Sequence, residues 1–224
     1  MIPLQFALRR RMMMAGGGGG APISDLPLGT LINVGTDGGA GTPNYEIADK
    51  DNLVSGGVVL VRKDIYSLAA YDTVYNWDYQ GSSLDNLIST TIAGQLPSKL
   101  QNRLMDVTIK LYNSDTITRK MFAPTMTMLG LDISSIKYKE GKPLQFYDSD
   151  ERRIKKYNSV SAAWWLSTKN DVDRSYVIGI SEYGEIEWSV DYKYTEGVVP
   201  AFVIPADTSY KPTPNTDGSY NLIL

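Results

Sequence analysis

The segment spanning residues 157–205 most constrains the fold of this chain. It holds three of the four tryptophans, Trp164, Trp165 and Trp188, in under fifty residues. Around them lie β-formers at 175–181, a turn at Gly184 and an apolar run at 198–204 that contains a proline. Aromatic and β-branched side chains favour pleated surfaces and bury large apolar areas. We therefore predict that this segment forms the β-core of a domain.

Two residue types are absent from the whole chain of 224 residues. It has no cysteine and no histidine, which excludes disulfides, thiolate metal sites and every Ser-His or Cys-His nucleophile. Its 42% hydrophobic and 21% charged content is ordinary for a globular protein, and its net charge of −3 argues against phosphate-neutralising contacts with nucleic acid. We expect no cofactor, no metal and no enzymatic activity.

Residues 1–21 form a separate N-terminal arm. An arginine triplet lies between two short apolar pieces, and the five glycines of residues 16–20 follow. A signal peptide would need about 7–15 apolar residues after its charges, and no stretch reaches the roughly 20 apolar residues of a membrane span. A disordered terminus is one interpretation, and we favour a docking peptide on a glycine hinge. The predicted partner-docking residues are Ile2, Leu4, Phe6, Leu8, Arg9, Arg10, Arg11, Met12, Met13 and Met14.

The body is predicted from residue 22 to residue 206. Strands are expected at 45–48, 57–63 and 107–112, and a helix at 84–92 follows the cap residues Ser82 and Ser83. A second helix is expected after Pro97. Residues 207–224 form an extended tail, whose last residues from Tyr220 could add an edge strand to the body or to a neighbour.

Two motifs have a functional and a structural interpretation. The glycine-rich loop at 35–44 lacks the spacing that cradles phosphate, so a plain loop is favoured. Asp148, Asp150 and Glu151 suggest calcium ligands, but basic residues follow where a calcium loop needs further oxygens. A solvated helix start is the favoured interpretation, since acidic then basic residues suit the helix dipole.

Six segments carry a resemblance to a known family: LPLG at residues 26–29, GVVLVRKDI, SSLDNLIS, TRKMFAPTMTMLG, AAWWLST and EGVVPAFVI. In this order they resemble an uncharacterised domain family of gut-type Gram-positive bacteria and their phages, with WWLRSP and GVRPAL motifs. The resemblance implies an α+β, C-type-lectin-like fold, similar to formylglycine-generating enzymes, with two helices and short twisted sheets. In this chain WWLSTK replaces WWLRSP and Val199 replaces the second family arginine. The oxidase chemistry of the relatives needs cysteines, so it is not implied.

The N-terminal arm resembles the RRRLMMA-type starts of phage structural proteins. Those leaders precede different C-terminal domains, which is typical of a docking peptide with exchangeable heads. The two resemblances together imply a non-enzymatic virion structural protein, such as a head fibre, tail fibre or decoration protein. Its partners would be capsid, portal or tail proteins, bound through the arm, and its location the virion.

The head is expected to bind a host-surface glycan or protein, or to decorate the particle, as a homo-oligomer without nucleic-acid partners. The ligand-binding candidates are Asn170, Asp171, Asp173, Arg174, Glu182, Tyr183, Glu185, Tyr192 and Tyr194. Two other functions stay open. One is a virion enzyme that degrades glycans with two carboxylates, and the other is a bacterial surface binding module.

Overall fold

A computed structural model describes residues 20–74, 78–111, 115–131, 141–169 and 176–224, without the side chains of residues 188 and 189. Strand accounts for 37% of these residues and helix for 15%. Three helices are present among them, and only one has seven or more residues. The predicted α+β, C-type-lectin-like fold with two helices is therefore wrong, and the described body is mostly β. Many of its strands have only two or three residues, too few to show a period of two in the sequence.

In chain order, the strands of the described residues are β1 Ala21–Pro22, β2 Leu31–Asn33, β3 Asn44–Lys50, β4 Gly57–Arg62, β5 Ser67–Ala70, β6 Val107–Lys110, β7 Thr116–Arg119, β8 Met121–Phe122, β9 Lys155–Tyr157, β10 Val160–Ala162, β11 Trp164–Lys169, β12 Tyr176–Ile180, β13 Ile186–Asp191, β14 Thr195–Val198, β15 Ala201–Pro205, β16 Ser209–Tyr210 and β17 Tyr220–Asn221.

A six-stranded sheet forms the centre of the body, in the order β17-β2-β3-β4-β15-β8. Two of its inner strands, β4 and β15, pair antiparallel, with Phe202 opposite Leu60. Every residue of β4 is buried, as expected for the apolar run predicted at 57–63. The C-terminal tail supplies the edge, because β17 pairs parallel to β2 with Tyr220 opposite Ile32. The predicted edge strand at the tail is thus confirmed, and its partner is the body.

A five-stranded sheet contains the tryptophan-rich segment, in the order β13-β12-β11-β14-β5. Trp164 and Trp165 on β11 are fully buried. The Trp164 indole donates a hydrogen bond to the Arg153 carbonyl at 3.0 Å, and the Trp165 indole donates to the Ala69 carbonyl at 2.8 Å. The segment that most constrained the sequence interpretation is therefore part of the β-core, as predicted.

The longest described helical run joins three segments: α1 Ser83–Asn86, a π-helical turn Leu87–Ile92 and α2 Ala93–Gln95. Ser82 caps it, since its hydroxyl accepts the Asp85 N–H at 3.1 Å. The two other α-helices are α3 Ser98–Gln101 after Pro97 and α4 Asp150–Arg153, and 3₁₀ turns lie at Ile23–Asp25 and Thr127–Leu129. The predicted cap, the helix after it and the helix after Pro97 are confirmed.

The body has two ends, defined by the ends of β15. Near its Pro205 end, the Ile23 N–H donates to the Thr208 carbonyl at 2.7 Å, and β1 pairs with β16. Gly20 enters the body there. At the other end, the Tyr66 N–H donates to the Val198 carbonyl at 2.8 Å, where the five-stranded sheet begins. Gly20 and the five-stranded sheet consequently lie toward opposite ends of the body.

Candidate contact surfaces at the ends of the five-stranded sheet

The turn between β12 and β13 holds three of the predicted ligand-binding residues, Glu182, Tyr183 and Glu185. The Ser181 hydroxyl accepts the N–H groups of Tyr183 at 3.2 Å and Glu185 at 3.3 Å. Tyr183 is 68% exposed. This end of the sheet therefore presents an aromatic side chain between two carboxylates on an ordered turn.

Helix α4 holds that turn in place. Arg153 donates from Nε to the Gly184 carbonyl at 3.0 Å. Gly184 has a φ of +86°, and a Cβ there would lie 2.0 Å from the Asp150 carbonyl oxygen, so only glycine fits. Arg152 pairs with Asp148 at 3.0 Å, and Arg153 pairs with Asp150. Asp150 and Glu151 lie in the first turn of α4. The predicted helix start at Asp148, Asp150 and Glu151 is therefore confirmed.

The other end of the sheet holds Tyr192 and Tyr194, which directly follow β13. The Tyr194 N–H donates to the Asp191 carbonyl at 2.9 Å, and the Tyr194 side chain is 63% exposed. The Lys193 ammonium lies 5.4 Å from the centre of the Tyr192 ring. Since a strand rises about 3.3 Å per residue, the length of β13 separates this end from the Tyr183 turn. The structure thus divides the predicted surface into two.

Several predicted site residues lie outside the described residues. They are Asn170, Asp171, Asp173 and Arg174 of the loop after β11, and all the predicted docking residues from Ile2 to Met14.

A charged cluster lies beneath the Tyr192 end, around Lys169 at the end of β11. Lys169 is 2% exposed, and its ammonium lies 4.9 Å from the centre of the Tyr71 ring. The Asp72 N–H donates to the Tyr192 carbonyl at 3.1 Å, which connects the cluster to the surface. Burial lowers the pKa of Lys169 to about 8, although the carboxylates of Asp72 and Asp78 favour its charged form. The cluster therefore contains an amine that can lose its proton close to neutral pH.

The Asp72 carboxylate in this cluster is only half satisfied within the described part of the chain. Its Oδ1 accepts the Ser83 hydroxyl at 2.8 Å and the Thr73 N–H at 2.9 Å. Its Oδ2 is buried and accepts no hydrogen bond there. Sequence reasoning did not single out Asp72 or Asp78, because no motif marks them and the fold alone brings them to Lys169.

Two glutamates of the five-stranded sheet have raised pKa values. Burial raises the pKa of Glu187 on β13, and the nearby Glu182 raises it further. Burial also raises the pKa of Glu196 on β14, with added repulsion from Glu187 and Glu182. Such groups hold protons more readily than free glutamates and can act as acids. No sequence signal indicated this grouping, because it is the strand order that brings β13 and β14 onto one sheet.

A second charged cluster is internal to the body and centres on Glu46 of β3. Its carboxylate pairs with Lys155 at 2.6 Å and Lys63 at 2.8 Å, and the Tyr147 hydroxyl lies 3.3 Å away. Burial by itself would raise the pKa of Glu46, but the two ammonium groups outweigh it and lower that pKa. Because each buried charge has a partner, this cluster contributes to structure. Further buried pairs join Arg62 to Asp37 at 2.6 Å and Arg119 to Asp85 at 2.7 Å.

Neither a metal cluster nor a membrane helix occurs in the part of the chain that the structure describes. No group of three or more carboxylate side chains there is placed to hold a metal ion. No helix among the same residues is long and apolar enough to cross a membrane.

The fold and these surfaces define a β-rich body with polar contact surfaces on its five-stranded sheet. Residues 55–206 match the family described as a domain of unknown function, DUF6273. The match covers more than half of the chain, and the chain therefore belongs to the DUF6273 family. No curated protein and no solved structure matches it. The family description names no ligand or activity, so the virion and binding functions stay predictions.

Proposed function

We propose that this protein is a non-enzymatic virion structural protein. Residues 1–21 anchor it to capsid, portal or tail proteins, and the β-rich body faces outward. The body adheres to a host-surface glycan or protein, or decorates the particle. The family match, residues 55–206, lies within the body.

The observation that carries this proposal is the placement of Gly20 relative to the exposed aromatic surfaces. The arm joins the body beside Tyr210, at the Pro205 end of β15. The five-stranded sheet with Tyr183 and Tyr194 begins toward the Val198 end. A body held through its arm would therefore turn the Tyr194 end of this sheet away from the particle. Tyrosine suits contacts with proteins and carbohydrates because it supplies a large rigid surface with a polar tip.

Homo-oligomeric display would strengthen such contacts. Copies anchored together bind a surface at a high effective concentration, so a weak single site gives strong overall attachment. The proposal accordingly needs no deep pocket on the five-stranded sheet.

The arm is tested with a triple variant, Leu4→Ser, Phe6→Ser and Leu8→Ser, expressed from the phage that encodes the chain. Because apolar anchors supply most of the binding energy of a docking peptide, we expect the variant to be lost from purified particles. The measurement is the amount of the chain that co-sediments with virions. The matched control exchanges three exposed apolar residues of the body, Leu68→Ser, Val74→Ser and Val160→Ser, and should be incorporated normally. Normal incorporation of the arm variant would contradict the proposal.

One observation favours a second function, a virion enzyme that degrades glycans. Glu187 and Glu196 have raised pKa values and lie on the same sheet. Glycosidases use a protonated carboxylic acid together with a second carboxylate. One of the two glutamates would be the protonated acid. The other would keep its negative charge and act as the nucleophile or base.

Release of reducing sugar from host-wall polysaccharide separates the two functions. The binding proposal predicts no turnover by the intact protein. Turnover that is abolished by Glu187→Gln and kept in the control Asp207→Asn, an exposed turn residue outside the five-stranded sheet, would establish the enzyme and overturn the proposal.

A further inference from the structure

A cleft of about 370 Å³ opens on the body outside the surfaces described above. Residues 40–42 of the glycine-rich loop form one wall, residues 64–65 the floor, and Lys156, Asn158 and Ser159 of the β9–β10 hairpin the other wall. We call it the loop cleft. Its volume is at the small end of the range for ligand pockets, about 300–1,000 Å³.

Buried contacts fix the walls of the loop cleft before any ligand binds. The Arg62 guanidinium donates to the Ala40 carbonyl at 2.8 Å and pairs with the buried Asp37. The Ala40 N–H donates to the Tyr66 carbonyl at 2.8 Å, and the Ile65 N–H donates to the Lys156 carbonyl at 2.8 Å. The glycine-rich loop is thereby tied to β4 and Tyr66, and residue 65 is tied to the hairpin. The cleft is pre-organised, which reduces the entropy cost of binding.

The tip of the hairpin carries a backbone conformation that its sequence does not favour. Tyr157 pairs with Val160, so Asn158 and Ser159 form a two-residue turn. Their φ angles are +50° and +69°, the values of a type I′ turn, whose second position strongly prefers glycine. Asparagine tolerates this region but serine does so poorly. A strained residue that the structure retains is a reason to look for a function at that position, and the Ser159 residue lines the loop cleft.

The side chains of the loop cleft are available to a ligand. Thr42, Asp64, Lys156, Asn158 and Ser159 form no side-chain hydrogen bond to another described residue, and no ion pair joins Asp64 to Lys156 among those residues. The five groups comprise an acceptor-only carboxylate, a donor-only ammonium and three groups that both donate and accept. The Ala40 side chain adds a small apolar surface. Donors and acceptors in balance, with charges that cancel, suit a neutral ligand rich in hydroxyl groups.

We propose that the loop cleft binds a neutral sugar unit of a surface glycan, with Ser159 donating to or accepting from a sugar hydroxyl. The inference rests on the proposed adhesion function for the source of the sugar. Hydroxyl groups of a sugar offer paired donors and acceptors, and its C–H face can pack on Ala40. A multivalent particle makes a millimolar affinity per cleft sufficient.

The test uses the purified full-length protein and ligand-observed NMR with glucose, galactose, rhamnose and N-acetylglucosamine, with inorganic phosphate as the charged probe. We expect at least one neutral sugar to bind. Ser159→Gly should raise the melting temperature by about 2–4 °C, because glycine relieves the left-handed strain. The same variant should bind the sugar about three- to tenfold more weakly, as expected from the loss of one hydrogen bond.

The matched control is Asp51→Gly, which relieves the left-handed φ of +55° at a residue outside the loop cleft and should bind the sugar as the wild type does. Binding of phosphate alone, binding of none of the probes, or unchanged sugar binding by Ser159→Gly would each overturn the inference. The arm variant Leu4→Ser, Phe6→Ser, Leu8→Ser should keep its sugar binding, so failure of anchoring and failure of the cleft give different results.

Discussion

Lys169 couples the stability of the body to pH in the alkaline range. Its pKa is about 8 in the folded protein, against an ordinary value of 10.5, because burial disfavours the ammonium. Between these two values the unfolded chain binds more protons than the folded chain. The contribution of Lys169 to the free energy of unfolding therefore rises as the pH increases from about 8 to 10.5.

The prediction is a pH-dependent difference between wild type and Lys169→Met in the free energy of unfolding by urea. The wild type should gain stability relative to Lys169→Met as the pH rises from about 8 to 10.5, because the buried lysine loses its proton before the unfolded one does. Val177→Ala is the control, because Val177 pairs with Lys169 across the sheet but carries no titratable group. A Lys169→Met difference that stays constant across this range would contradict the assignment.

Site residues were predictable only where one short segment contains the whole signal. The Tyr183 turn was found because Gly184 marks a tight turn and its neighbours are polar. Ser159 was missed because its φ of +69° leaves no trace in the residue type. Asp72 and Lys169 are nearly one hundred positions apart in the chain, and only the folded backbone shows that their side chains share one environment.

At the scale of elements, long elements with strong patterns were predictable and short ones were not. The buried strand β4 has a continuous apolar run. The helix begins at the cap Ser82, and every fourth residue after Leu84, namely Ile88 and Ile92, is buried like Leu84 itself. Strands such as β8 and β16 have two residues each. Pairing in the sheet defines them, so their own residues carry no periodic signal. The wrong α+β prediction came from the family resemblance, and the residues of these short strands carried no pattern that could correct it.

The order of strands also explains why the predicted surface divides in two. Tyr183 and Tyr192 are close in the sequence, which favoured one surface. The intervening strand β13 is extended and carries the chain from one end of the sheet to the other. An extended segment separates its ends more than a helix of the same length. Sequence proximity was therefore misleading for these residues.

At the scale of the whole molecule, the Glu46 cluster joins distant parts of the chain. Glu46 comes from β3, Lys63 follows β4, and Lys155 belongs to the hairpin that forms one wall of the loop cleft. Lys155 is fully buried. Loss of the Glu46 charge would leave its ammonium without the partner that compensates for its desolvation.

We expect Glu46→Gln to lower the free energy of unfolding by about 3–5 kcal/mol, the usual cost of a buried charge that loses its partner. Lys63→Gln removes the half-exposed lysine of the same cluster and should cost only about 0–1 kcal/mol. Equilibrium unfolding in urea measures both. Equal losses in the two variants would show that the burial of Lys155 does not determine the energy of the cluster.

Gly20 has a consequence for how such chains can diversify. A Cβ at this position would lie 2.0 Å from the Tyr210 carbonyl oxygen. The packing of the body therefore requires glycine here. Recombination that joins a foreign leader immediately upstream of Gly20 would leave every contact among the described residues of the body intact. A crossover that replaced this glycine would disturb β1 and β16 together. Gly20 thus marks the boundary upstream of which a leader can be exchanged without disturbing these contacts.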